Sequence, residues 1–294
     1  MPAKFERFAD QIYNLEVRPD DVWICTLPRS GTTWTQEMIW LICNNLDYEA
    51  AAKTSLDSKF PYLEYNTLMS EPTLKKMHDV LDEVAFNSFK SDFEPCYDTV
   101  NKNTSKRFIK THLPMKVMPR GIMEVGAKVV YVARNPKDMA VSWYHMHKSF
   151  PGMDFGGDFE SFLEYFLNDL TMYTPYWKHV LDGWENRHRD NVYFMFYEEL
   201  KSDLALSLKK LAIFLGYPLK DEDLPRLMNH LSFENTKKNP TINYKLSPFE
   251  KANNFIRRGQ VGGNPEMTEE LSKKFDEWTE KNLAGTEFKS PCNY

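Results

Sequence analysis

Residues 29 to 33 read Arg-Ser-Gly-Thr-Thr, a permanent positive charge, three hydroxyls and one glycine in a row. Before them, Trp23 to Leu27 is a short apolar run bounded by Pro28, which reads as a buried strand. After them, Trp34, Met38, Ile39, Leu41 and Ile42 recur at helical spacing. A strand that turns tightly into a helix aims free N–H groups at one point, and the helix dipole makes that point attractive to anions. Gly31 allows close approach, while Ser30, Thr32 and Thr33 add donors and Arg29 adds charge. The turn reads as a cradle for phosphate or sulfate, with an ordinary strand-to-helix turn as the alternative. It is not the common nucleotide loop, which needs a second glycine followed by Lys and Ser or Thr.

His112 is a candidate base, because imidazole titrates near neutrality. Lys110 precedes it by two residues, so on an extended segment both project to one face. There Lys110 can neutralise a transferring group while His112 handles a proton. A structural histidine and a solvated strand-end lysine are the plain alternatives. His145 and His147 do not read as a metal pair. Two apart on a helix they point in different directions, and no carboxylate–His set completes them.

Strands are expected at Val22–Thr26, Arg107–Thr111, Lys128–Ala133 and Val192–Tyr197. Asn135 and Pro136 open a helix through Tyr144, and Glu198 to Leu215 reads as helix with Gly216 as its stop. Phe159 to Trp184 reads as two helices broken near Pro175. This alternation predicts an α/β fold: a single domain over 1–294, with a central, mostly parallel β-sheet flanked by helices. Ligands bind beyond the carboxyl ends of such strands. Arg29, His112, Arg134 and Tyr197 all fall at or just past predicted strand ends. Residues 237–264 are polar, Asn-rich and punctuated by Pro and Gly, and read as a lid loop or a plain surface excursion.

Leu27-Pro28-Arg29-Ser30-Gly31-Thr32-Thr33-Trp34 resembles the 5′-phosphosulfate loop of cytosolic sulfotransferases, usually Tyr-Pro-Lys-Ser-Gly-Thr-Thr-Trp. Four further segments resemble that family in the same order: Lys110-Thr111-His112-Leu113-Pro114, Tyr131-Val132-Ala133-Arg134-Asn135, Phe196-Tyr197-Glu198-Glu199 and Phe255-Ile256-Arg257-Arg258-Gly259. The likeness runs from about Arg18 to about Gly263. It implies a P-loop-like phosphosulfate turn. The activity implied is transfer of a sulfuryl group from 3′-phosphoadenosine-5′-phosphosulfate (PAPS) to a hydroxyl or amine, without a metal.

The resemblance implies the following roles. His112 is the general base, and Lys110 sits beside the transferring group. Arg29 replaces the family's usual Lys at the leaving oxygen; it keeps the charge but cannot hand over a proton. Ser30, Gly31, Thr32 and Thr33 hold the 5′ end. Arg134 and Ser142 hold the 3′-phosphate, with Arg257, Arg258 and Gly259 closing from the lid. Trp34 and Phe233 flank the adenine and Tyr197 bonds its edge. Ser232 belongs to Leu231-Ser232-Phe233, where Leu231 displaces a Thr and removes one adenine contact. Phe5, Tyr62, Tyr65, Phe86, Phe89, Trp143 and Tyr144 fall in segments that line the acceptor pocket of relatives, or else are core. A ring-lined pocket beside His112 suits a small planar phenol, although the sequence does not choose among phenol, steroid, retinoid or amine.

Composition narrows the partners. With 37 basic and 42 acidic residues the net charge is −5, which argues against nucleic acid and acidic membranes as partners. The four cysteines show no Cys-x-x-Cys spacing and read as reduced thiols in a cytoplasmic protein. The family's pairing motif, Lys-x-x-x-Thr-Val-x-x-x-Glu, lacks its Lys and Thr-Val at Gly263 to Glu270. A monomer, or a dimer through another surface, is therefore expected. A nucleotide kinase is a competing reading, to be separated by its need for magnesium. A non-catalytic nucleotide binder is another, which the presence of His112 and Lys110 disfavours.

Overall fold

The computed structural model describes residues 4–68, 71–80, 82–83, 86–87, 96–149, 153, 155–242 and 255–290. Four strands form one sheet: β1 (Val22–Thr26), β2 (Phe108–Thr111), β3 (Lys128–Ala133) and β4 (Val192–Phe196). Their order is β2-β1-β3-β4, and every pairing is parallel. A short segment continues the sheet beyond β2. Tyr62 bridges to Lys110, Leu63 N donates to Lys110 O at 2.9 Å, and Lys110 N donates to Pro61 O at 3.0 Å.

The strands are apolar on both sides because both sheet faces are covered. Trp23, Cys25, Ile109, Val129 and Tyr131 enter one buried cluster, and Val22, Ile24, Phe108, Val130 and Val132 enter the other. Each fully buried large apolar side chain contributes about 1.5–3 kcal/mol. The helix Thr32–Cys43 follows β1 and buries Met38, Ile39, Leu41 and Ile42 in the second cluster. The helix Pro136–Ser149 follows β3, its first turn held by Asn135 Oδ1, which accepts from Lys137 N at 2.9 Å.

Several expected boundaries shift. Arg107 stands just before β2; its guanidinium is buried, donating to Asp21 Oδ1 at 2.7 Å and to Asp21 Oδ2 at 2.5 Å. Tyr197 leaves β4 to start the helix Tyr197–Ser202. The stretch expected as one helix through Leu215 is two, because Asp203 accepts from Leu206 N and starts the helix Leu204–Leu215. Gly216 ends that helix in the left-handed conformation, as its sequence position predicts. Phe159–Leu167 and Tyr176–Glu185 are the expected pair before and after Pro175. Lys237 and Lys238 close the helix Phe233–Lys238, so the polar excursion begins after them. Its middle, residues 243–254, lies outside the described residues, as do Phe89 and Cys292. No helix among the described residues is long and apolar enough to cross a membrane.

Candidate active site

The anion cradle lies where β1 ends. Arg29 adopts φ 66° and Gly31 φ 95°, which folds the chain back into the helix Thr32–Cys43. Left-handed backbone is ordinary for glycine and strained for arginine. A Cβ on Gly31 would lie 2.6 Å from Tyr197 Cδ2, so the absent side chain makes room for the Tyr197 ring over the turn. The Ser30 amide is tied to Leu27 O at 3.3 Å. Those of Gly31, Thr32 and Thr33 head the helix, where no preceding turn supplies acceptors. Thr32 Oγ1 shares a hydrogen bond with Thr26 Oγ1 at 2.6 Å. Ser30 is 1% exposed, and among the described residues its hydroxyl has no protein partner. A buried hydroxyl without a partner, beside helix-leading amides, fits an anionic oxygen seated in the turn.

His112 follows β2 directly. Its Nδ1 lies 2.7 Å from the carbonyl of Thr26 at the end of β1. A carbonyl only accepts, so Nδ1 carries the proton and Nε2 is the basic nitrogen. Burial, and then the charge of Lys110, hold His112 well below the ordinary imidazole range, so the ring is neutral. Lys110 Nζ stands 4.2 Å from the centre of the Tyr62 ring, and the His112 ring meets the same tyrosine edge-on at 5.2 Å. Lys110 and His112 therefore share one face, as their spacing predicts. Burial lowers the Lys110 ammonium, while Asp57 and Glu64 oppose that shift.

Arg29 reaches the other way. Its Nε donates to Ser142 Oγ at 3.0 Å and its Nη2 to Phe255 O at 2.6 Å, with the guanidinium 4.7 Å above the Phe255 ring. Arg134, just past β3, donates from Nη1 to Arg29 O at 2.9 Å and from Nη2 to Gln260 O at 3.2 Å. Its guanidinium lies 4.4 Å from the centre of the Tyr197 ring. Asp138 accepts from Gly262 N at 2.8 Å and from Asn264 Nδ2 at 2.6 Å. Arg257 and Arg258 donate to Asn264 Oδ1 and Gly263 O. The segment after Phe255 is thereby stitched to the helix that carries Ser142.

Around the expected adenine position, Trp34 Nε1 donates to Leu231 O at 2.8 Å, and its ring meets Tyr197 edge-on at 5.9 Å. Ser232 Oγ accepts from Asn235 N and starts the helix Phe233–Lys238. Gly259 at φ 61° lies against the Phe233 ring, with no room for a Cβ. Leu231, beside Trp34, uses its main chain rather than its apolar side chain.

The acceptor set divides. Tyr62 and Tyr65 stack at 5.4 Å next to His112. Trp143 packs on His147 at 4.4 Å, and Tyr144 packs on Phe155, Phe159 and Phe162, within the helical core. Phe5 packs against the edge of the same cluster, and Phe86 against His78. His145 pairs with Glu266 at 2.6 Å while His147 Nδ1 donates to Trp143 O, so the two imidazoles serve separate partners.

Sequence reasoning missed four residues. Thr26 fixes the His112 tautomer, as described above. Tyr173 shares a hydrogen bond with Tyr62 at 2.6 Å and packs on His112 at 5.5 Å. His179 Nε2 donates to His112 O at 3.0 Å, because its Nδ1 accepts from Tyr131 OH. Glu64 accepts from His112 N at 2.7 Å and from Thr111 Oγ1 at 2.8 Å. Only Glu64 left a signal, a lone carboxylate inside the apolar run Pro61 to Tyr65.

The sulfotransferase domain model matches residues 19–287. The chain is 38% identical to luciferin sulfotransferase of Photinus pyralis, over 96% of this chain and 76% of that protein. It is 32% identical to sulfotransferase 1E1 of Bos taurus, over 97% of this chain and 92% of that protein. Among solved structures it resembles retinol dehydratase in complex with retinol and PAP, at TM-score 0.91 and 33% identity, covering 98% of this chain and 88% of that one.

Proposed function

We propose, from the premise that this chain belongs to the sulfotransferase family, that it transfers the sulfuryl group of PAPS to the hydroxyl of a small, phenol-like acceptor, with His112 as general base. Sulfotransferase activity follows from the family; the acceptor class and the residue roles are the proposal. The observation that carries it is the His112–Thr26 hydrogen bond, which leaves a neutral imidazole with Nε2 basic, on the face it shares with Lys110. PAPS, when bound, supplies an activated sulfuryl group with a phosphate leaving oxygen. The residues that would hold it are Ser30, Gly31, Thr32 and Thr33 at the 5′ end, and Arg134 and Ser142, with Arg257, Arg258 and Gly259, at the 3′-phosphate. Trp34, Phe233, Tyr197 and Ser232 belong to the adenine end. The unpartnered Ser30 hydroxyl supports this fit.

His112 takes the acceptor hydroxyl proton at Nε2 as the oxygen attacks. Lys110 opposes negative charge on the group in transit, and Arg29, whose guanidinium lies by Ser142 and Phe255, adds a fixed positive charge to the cofactor side without giving up a proton. Tyr62 and Tyr65 supply an aromatic wall for a ring-bearing acceptor. Residues 255–264 belong to the lid of this reading, supported by the contacts of Arg29 and Asp138 with Phe255, Gly262 and Asn264. A cytoplasmic location belongs to the same reading, supported by the thiols of Cys25 and Cys43, which are buried and form no disulfide.

The test is a labelled-PAPS transfer assay against phenols, steroids, retinoids and alkyl alcohols. Label moves to a phenol with the wild type and does not move with His112→Ala. Transfer by His112→Ala at the wild-type rate removes His112 from the mechanism. The likeness to retinol dehydratase favours a second reading, in which an allylic alcohol is sulfated and its ester then loses sulfate and a proton to leave an alkene. In the same assay that reading yields inorganic labelled sulfate.

A further inference from the structure

Glu64 is 0% exposed and is anchored on the strand that leads into His112. Its two oxygens are held separately, Oε1 by the His112 amide at 2.7 Å and Oε2 by the Thr111 hydroxyl at 2.8 Å. Thr111 Oγ1 in turn accepts from Leu113 N at 3.0 Å, so one carboxylate organises three consecutive residues around the candidate base. Its own segment is fixed to β2 by the Tyr62–Lys110 bridge. A buried carboxylate is costly unless it is hydrogen-bonded and charge-compensated. Here the two hydrogen bonds favour the charged carboxylate most against burial, with Lys110 adding to them, and Lys110 is favoured in turn by Asp57 and then by Glu64.

We infer that Glu64 is a positioning residue for sulfuryl transfer: its carboxylate fixes the main chain of His112 and the hydroxyl of Thr111, the two residues that follow Lys110. This rests on the function proposed above. The ionisable groups around it are Lys110 and His112 on and after β2, Cys25 on β1, Tyr62 on its own segment, and Tyr173 opposite. Tyr62, Tyr173 and Cys25 are all pushed well above their ordinary values, first by burial, so they stay neutral. Burial pushes the Glu64 carboxyl up to about 7, against its hydrogen bonds and Lys110. His112 titrates well below its ordinary range, so Glu64 is the group that changes charge as pH falls through neutrality.

Glu64→Gln keeps the shape and removes the charge. The experiment measures kcat and KM for the best acceptor from pH 5.5 to 8.5, the affinity for PAP by calorimetry, and the thermal midpoint, for wild type, Glu64→Gln and Glu64→Asp. We expect the wild-type kcat to decline on the acid side around pH 7, and Glu64→Gln to lower kcat at pH 8 by about a hundredfold, the scale of a small misplacement of a catalytic group. KM, PAP affinity and thermal midpoint should change little. The Gln variant should also lose the acid-side decline near pH 7, and Glu64→Asp should recover part of kcat. A Gln variant with wild-type kcat and pH profile overturns the inference. So does one whose kcat, PAP affinity and thermal midpoint fall together, since that marks a structural role. A wild-type enzyme that transfers to no acceptor sinks the proposed function instead.

Discussion

Arg29 carries the departure from the family's usual loop, and its surroundings say what arginine adds. A lysine makes point contacts, whereas this guanidinium bridges the Ser142 hydroxyl and the Phe255 carbonyl and lies over the Phe255 ring. Arg29→Ala should lose most transfer activity, and Arg29→Lys, which keeps charge and reach, should lose little. Steady-state kcat for the three proteins decides it, and equal values would contradict a role for the charge. The residues legible beforehand were those in contiguous motifs: the turn at 29–33, Lys110 with His112, and Arg134. Tyr173 left no signal and Glu64 only that of a lone carboxylate, because their partners lie 111 positions away at Tyr62 and 48 positions away at His112.

At the scale of elements, the parallel sheet gathers the candidate site residues. Four strands ending on one side put the turn after β1, His112 after β2, Arg134 after β3 and Tyr197 after β4 at one edge. Strand positions were readable because β1, β3 and β4 are nearly continuous apolar runs, while β2, Phe-Ile-Lys-Thr, is a short one that opens apolar and turns polar. Boundaries slipped where a side chain took over, as Arg107 does with Asp21 and Asp203 does with the Leu206 amide. The turn depends on Gly31 twice, for its φ of 95° and for the space that Tyr197 fills. Gly31→Ala should therefore cost about 1–3 kcal/mol in strain. Calorimetry with PAP and a thermal melt would register it as weaker binding and a lower midpoint. Unchanged values in both would mean that the turn relaxes freely.

For the whole molecule, two imidazoles sit deep in the fold. Burial lowers His179 to about 4, and His112 is also held well below its ordinary range. An unfolded chain protonates both near 6.5, whereas the fold refuses the proton. The stability these two imidazoles contribute should thus be complete above pH 6.5 and be lost as pH drops from there toward 4, against the opposite contribution of Glu64, whose raised carboxyl favours the fold as pH falls through 7. Thermal midpoints across that window test this, and His179→Asn should flatten the decline; an equal slope in both proteins would contradict it. A negative molecule must also concentrate its cations to hold an anion, so the apparent affinity for PAP should weaken as salt rises. Titrations at two ionic strengths measure it. The acceptor pocket was the least legible region, since rings such as Trp143 and Tyr144 serve core and pocket equally well by type. Packing sets Trp143 and Tyr144 among the helices and Tyr62 and Tyr65 beside His112.

One arrangement has a bearing on kinetics. The guanidinium groups of Arg29 and Arg134 rest on the main-chain oxygens of Phe255, Arg29 and Gln260. Their rotamers are thus selected when the chain folds, so an anion captured there as proposed above would meet forks already oriented. Less torsional disorder is lost on capture. Two of these three oxygens, those of Phe255 and Gln260, belong to the segment that begins at Phe255, so the same two guanidinium groups also hold that segment in place.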